Sequence, residues 1–242
     1  MNGKLNPSAP SSSRLRALRE RLRLRHRLRL GWRLVGRARE ALRYSLVKPW
    51  MPCAFVIVSF ERHAGPAAIR CLESVHGQHY DRALVRQVFI DDASEDQTPA
   101  LIERWLGERP GHCVQYRRRA QRRGGALNRL EAMYAAPPGT IVLELDGDDW
   151  LADPGVLSFL NRVYQDPEVW ITYNTMRLDG GGIVRPLGIP RRVIEANAFR
   201  RAPWISAHPH SFRRELLDHL DKASQIDPET GEYWATAHDM AL

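Results

Sequence analysis

From residue 54 onward the chain alternates short continuous apolar runs with stretches whose apolar residues recur at helical spacing. Ala54–Phe60 (AFVIVSF) is apolar at nearly every position, the pattern of a strand buried on both faces. Pro66 opens a helical stretch with Ile69, Leu72 and Val75 on one side. A second strand, VRQVFI, runs into Asp91-Asp92, and Thr98 followed by Pro99 starts a helix through Leu106. Cys113–Tyr116 reads as a third strand and Ala126–Ala135 as a third helix. Ile141–Trp150 (IVLELDGDDW) is then a fourth apolar run that breaks into three carboxylates around one glycine. Four strand–helix alternations at this spacing predict an α/β fold, a mostly parallel sheet with helices on both faces.

Past the triple Asp the pattern loses its regularity. Asp153-Pro154 starts a helix, Val169–Tyr173 reads as a strand, and Thr175–Leu178 and Ile183–Arg185 flank Asp179-Gly-Gly-Gly as a hairpin. A helix is predicted from Phe212 to about Leu220. The closing EYWATAHDMAL reads as a helix that stops at Leu242 without a cap, glycine or polar tail, so the chain is expected to be a truncated piece.

The first fifty residues differ in kind. Residues 1–13 are polar, rich in Ser and Pro, and read as a disordered tail. Residues 14–51 form an Arg/Leu-rich arm, in which Arg and Leu alternate from Arg14 to Arg43 and Gly31 and Gly36 weaken any helical stripe. Residues 52–242 form the body. The net charge of +8 belongs to the arm: residues 1–50 hold fourteen of the 36 Lys and Arg against Glu20 and Glu40. That leaves 22 basic and 26 acidic residues, an acidic balance, in the remainder. Nucleic-acid binding by the body is thereby disfavoured. The arm itself fits a solvated or packing helix, an anionic membrane surface through residues 14–43 or, least well, nucleic acid.

Cys53, Cys71 and Cys113 are too few and too scattered for a disulfide framework or a CxxC metal site, which points to a reducing compartment. No apolar run approaches the length of a membrane span. The expected location is cytoplasmic, with a peripheral position at the inner membrane face if the arm binds lipid.

The candidate chemistry lies at the strand ends. In a parallel sheet, ligands bind outside the carboxyl ends of the strands. Glu61 follows the first strand, Asp91 and Asp92 the second, and Asp146, Asp148 and Asp149 the fourth. Three carboxylates in four residues repel one another unless a positive charge joins them. Mg²⁺ and Mn²⁺ prefer such oxygens and are completed by water and substrate phosphates. There is no GxxxxGK[ST] and no GxGxxG after a strand, so a metal held by an Asp-x-Asp is the phosphate device left. Asp91-Asp92 also suits plain turn and helix capping, and Asn128 a plain helix surface. Glu144, an acid inside the fourth strand, has no account at this level.

FVIVSFERHA, VFIDDASEDQT, RRGGALNRL and IVLELDGDDWL, in this order and spacing, resemble successive motifs of family 2 glycosyltransferases. The resemblance covers Pro52 to the C-terminus. It implies the GT-A fold, with a Rossmann-like sheet and a less regular acceptor-side second half. It also implies inverting transfer of a sugar from a nucleotide-diphosphate donor, with Mn²⁺ or Mg²⁺. By position, Glu61 and Asp91 or Asp92 would contact the nucleoside base and ribose, and Gly125 would belong to the same nucleotide-sugar site. Asp146 and Asp148 would be the DxD, with Asp148 on the metal. The family's late acidic base falls on Asp239, where His238 replaces the usual Glu. A late metal-binding histidine would be His208 or His210. The third motif has Arg where the family has Asn before the glycine, leaving Arg122 and Arg123 to face phosphate.

A glycan, a lipid-linked sugar or a protein all remain open as acceptor. The rival readings are a sugar nucleotidyltransferase, a phosphohydrolase and a non-catalytic nucleotide-sugar-binding or scaffold protein with a basic membrane-surface arm. The first lacks its glycine-rich basic signature after strand one. The second lacks an Asp pair there. An intact DxD and Asp239 weigh against the third.

Overall fold

A computed structural model describes residues 51–184, 188–198, 209–227 and 229–233, all within the unit Trp50–Leu242. Residues 1–50, Arg185, His208 and Asp239 lie outside the described residues.

The central sheet has six strands: β1 (Ala54–Glu61), β2 (Val85–Asp91), β3 (Val114–Arg118), β4 (Thr140–Glu144), β5 (Ile171–Tyr173) and β8 (His210–Arg213), in the order β3-β2-β1-β4-β8-β5. The first four are parallel, and β8 runs antiparallel to both β4 and β5. A separate hairpin pairs β6 (Met176–Arg177) with β7 (Ile183–Val184) around the predicted glycine turn.

Alternation along the buried strands builds two cores. Phe55 and Ile57 of β1, Phe89 of β2 and Ile141 and Leu143 of β4 face one side. They pack against α1 (Pro66–His76), α2 (Thr98–Gly107) and α4 (Val156–Val163). In α1 the buried residues are Ala68, Cys71, Leu72 and Val75, the i, i+3, i+4, i+7 stripe of an amphipathic helix. Val56, Val58, Val88, Ile90 and Val142 face the other side, against Ala132 and Met133 of α3 (Gly125–Tyr134) and Phe212 and Leu217. A fifth short helix, α5, spans Arg191–Glu195. Helices therefore cover both faces, as the sequence pattern predicts.

Two local expectations are corrected. Phe212–Leu220 is not one helix: His210–Arg213 is a strand followed by a tight 3₁₀ stretch, Arg214–His219. In that strand Ser211 faces the Tyr164 and Thr172 hydroxyls while Phe212 enters the α3-side core, a period of two that the nearby leucines masked. The third strand begins and ends later than Cys113–Tyr116. As a sheet edge it takes in Arg117 and Arg118, whose side chains need burial on neither side. Thr98 opens α2, as the sequence pattern predicts, with Gln97 in the cap position before it. The Asp96 carboxylate accepts from the Thr98 N–H at 3.0 Å, and the Thr98 hydroxyl accepts from Gly65 N–H at 2.8 Å, tying α2 to the start of α1.

Candidate active site

The parallel register lines up the strand ends. Glu61 pairs with Asp91 and Asp91 with Arg118, so an acid, an acid and a base form one row across β1, β2 and β3. β4 continues along β1 beyond its last ladder pair, with Leu145 N–H donating to Val58 O and Gly147 N–H to Phe60 O, both at 3.0 Å. This extension carries Asp146 and Asp148 to the end of β1. Gly147 permits it: a Cβ there would stand 2.7 Å from Glu61 Cβ and 2.9 Å from the Phe89 ring. The three acids feel one another. Burial pushes the Glu61 carboxyl above its ordinary range, and Asp148 and Asp146 push the same way against the Arg62 N–H and Arg129.

Asp91 and Asp92 are placed differently. Both are buried, at 0% and 1% exposure, and both spend their oxygens inside the protein. Asp91 accepts from Ser94 N–H at 2.8 Å and from the Tyr116 hydroxyl at 2.9 Å. Burial, then that bond, pushes the Tyr116 phenol far up its scale. Asp92 accepts from Arg123 N–H, Gly124 N–H and Asn128 Nδ2 at 2.8–2.9 Å. It thereby clamps the basic loop onto the start of α3, where Gly124 takes φ 83° and Gly125 begins the helix, buried. Asn128 is fully buried in this clamp and also accepts from Arg119 Nε at 2.8 Å, so it is not a helix-surface residue. Arg117, Arg119 and Arg123 gather on Glu131. Burial works against ionisation of Glu131, yet these guanidiniums hold its carboxyl below the ordinary range. Arg122 stays exposed.

Behind the DxD sits a buried ion network. Glu144 lies on the α3 face of β4, where a charge this deep needs a partner. Arg129 of α3 meets it, Nη1 at 3.5 Å from Glu144 Oε1, and places Nη2 at 2.7 Å from Asp146 Oδ1. His210 Nδ1 lies 3.6 Å from the other Glu144 oxygen. His210 is thus a strand residue beside Glu144. Asp148 is exposed, and no described residue is paired with it.

Beyond Asp149 a cavity of about 500 Å³ opens between the loop after β4, α4 and the start of the hairpin. Trp150, Phe159 and Met176 form much of its apolar wall, and Asp149, Asn174 and Arg177 its polar side. The Arg70 guanidinium stacks on the Trp150 ring at 3.4 Å and reaches Asp179 at the hairpin tip.

Among the described residues no three His, Cys, Asp or Glu side chains converge to form a cation site by themselves. An exposed carboxylate at Asp148 with Asp146 beside it fits a hard divalent ion that takes its remaining ligands from diphosphate and water.

The sequence profile of glycosyl transferase family 2 matches residues 54–221. The chain belongs to this family. No curated protein matches it by sequence. Among solved structures, the mannosyltransferase PcManGT of Pyrobaculum calidifontis, in complex with GDP-Man and Mn²⁺, is 25% identical with a TM-score of 0.53. That match covers 79% of this chain and 55% of the other. S. aureus TarS 1-349 is 18% identical with a TM-score of 0.56, covering 77% and 52%. Its complex with UDP-GlcNAc is 17% identical with a TM-score of 0.54, covering 68% and 46%. The TarS likeness is one of fold. The chain spans about half the length of these solved chains. Among the described residues of this family member no helix is long and apolar enough to cross a membrane.

Sequence reasoning missed Arg129 and Tyr116. The signal for Arg129 was present: an acid inside an apolar strand demands a buried base, and Arg129 stands among the buried residues of the preceding helix.

Proposed function

We propose that the protein transfers a sugar, with inversion, from a nucleotide-diphosphate donor to an acceptor hydroxyl. The observation that carries this is the placement of Glu61, Asp146 and Asp148 along one carboxyl edge of the parallel sheet of a family 2 chain. Asp148, with Asp146 beside it, would hold Mn²⁺ or Mg²⁺. Such an ion, when bound, offsets the charge that develops on the diphosphate leaving group.

The chain's own residues do the rest. Glu61 sits at the edge where the nucleoside would lie, Asp91 and Asp92 shape that edge from within, and Gly125 opens α3 beside the exposed Arg122. Asp239 is the proposed base, taking the acceptor hydroxyl proton as that oxygen attacks the anomeric carbon. The acceptor would enter through the cavity beside Asp149 and Trp150, whose aromatic and polar walls suit a sugar ring. Residues 14–43 would bring the protein to an anionic membrane surface on its cytoplasmic side.

Calorimetric titration with UDP, GDP, ADP and CDP, with and without Mn²⁺, tests the donor site. Binding by the wild type that requires Mn²⁺ and is lost in Asp148→Ala is the expected result. Absence of binding by every nucleotide under both conditions would overturn the reading.

A further inference from the structure

The buried guanidinium behind the DxD has no assigned role, yet it makes the shortest charged contact in the site. Arg129 exposes 7% of its side chain, and Glu144 exposes 3%. Charges this deep are poorly screened by salt. One arm of the Arg129 fork bonds Asp146 Oδ1 at 2.7 Å, a charge-assisted hydrogen bond, while the other faces Glu144 at 3.5 Å. Arg keeps its charge at any working pH, and its rigid planar fork reaches two carboxylates at once.

We propose that Arg129 is a positioning residue for the donor site. It fixes the rotamer of Asp146, supplies one permanent positive charge beneath the acidic cluster, and leaves Asp148 as the carboxylate open to a divalent ion. The inference rests on the metal–diphosphate reading above. Its consequence is a division of charge. Asp146, Asp148, Asp149 and Glu61 without a counter-charge would attract a cation strongly before any nucleotide arrived, and would repel the diphosphate. With Arg129 in place the cluster binds the bare cation weakly and accepts cation and diphosphate together.

The sign of the effect separates this role from a structural one. Removing a buried positive charge favours the cation and disfavours the anion, whereas loosening the fold weakens both. The experiment uses the full chain as wild type, Arg129→Gln, Arg129→Lys and the double variant Arg129→Gln/Glu144→Gln. The double variant guards against misfolding, because it removes both members of the Arg129–Glu144 pair and leaves no deeply buried carboxylate at position 144 without its base. Mn²⁺ alone is titrated by electron paramagnetic resonance. UDP, GDP, ADP and CDP are titrated by calorimetry at fixed Mn²⁺.

In Arg129→Gln, Mn²⁺ alone is expected to bind about tenfold more tightly and the nucleotide about tenfold more weakly, for one charge lost at short range, and the double variant, which also loses the opposing Glu144 charge, should shift both the same way by less. Arg129→Lys retains the charge and should keep Mn²⁺ affinity near wild type while nucleotide affinity falls, since a point charge cannot hold both carboxylates. Parallel loss of both affinities, or no change in either while the wild type binds normally, would overturn the role of Arg129. Failure of the wild type itself to bind Mn²⁺ and every nucleotide would overturn the underlying metal–diphosphate reading, and this inference with it.

Discussion

Gly147 lies so close to Glu61 that a Cβ on the glycine would stand 2.7 Å from the Glu61 Cβ. The contact joins the middle of the DxD to the end of the first strand. It turns two acidic segments 85 residues apart in the chain into one site.

Gly147→Ala should therefore damage both stability and the site. The added methyl would also meet the Phe89 ring at 2.9 Å and the Phe60 carbonyl carbon at 3.2 Å, in a region with no slack. Overpacking of this kind costs about 1–3 kcal/mol. Chemical denaturation should show that loss, and Mn²⁺-dependent nucleotide affinity should fall as Asp146 and Asp148 shift. Gly107→Ala, at a glycine with open space around it, is the control and should leave nucleotide affinity unchanged.

Glu61 makes a pH prediction. Burial, then the fields of Asp148 and Asp146, raise its pKa above the ordinary 4.5. A carboxyl whose folded pKa lies above its unfolded value stabilises the fold below the unfolded value. That contribution is lost as pH rises through the folded one. At pH 7 the ionised Glu61 is thus a net cost. Glu61→Gln should raise the melting temperature at pH 7, with the advantage closing as pH falls toward 4. Thermal melts between pH 4 and pH 8 check this, and an advantage constant with pH would contradict it.

The parts of this protein that could be read from sequence are those fixed by local pattern. Ala54–Phe60 and Ile141–Leu145 read as two-faced strands because both their faces are in fact covered, and the acids after them mark the strand ends. The tertiary partners were not legible. Asp91 and Asp92 look alike in sequence, yet one holds Tyr116 and the other the loop at Gly124, and only the register of β2 against β3 decides which. Glu144 is inexplicable until α3 brings Arg129 across the sheet. The His210–Arg213 strand is hidden because its partner β4 lies far back in the sequence, and because Leu216, Leu217 and Leu220 imitate a helix.

Cys71 reports on the floor of the site. Its thiol donates toward the Asp146 carbonyl oxygen at 3.6 Å, and burial pushes its pKa up to about 12. The thiolate is the reactive form. At pH 8 Cys71 should therefore resist alkylation until the region beneath the DxD opens. Nucleotide with Mn²⁺ should slow its labelling further, which peptide-level mass spectrometry can measure. Rapid labelling in the native protein, unaffected by ligand, would show that this floor is not closed.

Asp92 should prove to be the structural member of the acidic pair. Its two oxygens satisfy three donors, Arg123 N–H, Gly124 N–H and Asn128 Nδ2, all at 2.8–2.9 Å. Asp92→Ala would leave all three without their charged partner, the fully buried Asn128 amide most severely. Unsatisfied buried groups cost about 1–3 kcal/mol each, more where the lost partner is charged, so a loss of about 3 kcal/mol or more is expected. Asp92→Asn keeps one acceptor but turns an amide N–H₂ toward an existing donor, and should fall between alanine and wild type. The damage should also be local. Hydrogen exchange at Arg123 and Gly124 should accelerate in both variants, while amides in the middle of β1 stay protected. If exchange at those two amides is unchanged, the clamp is not what holds the basic loop on α3.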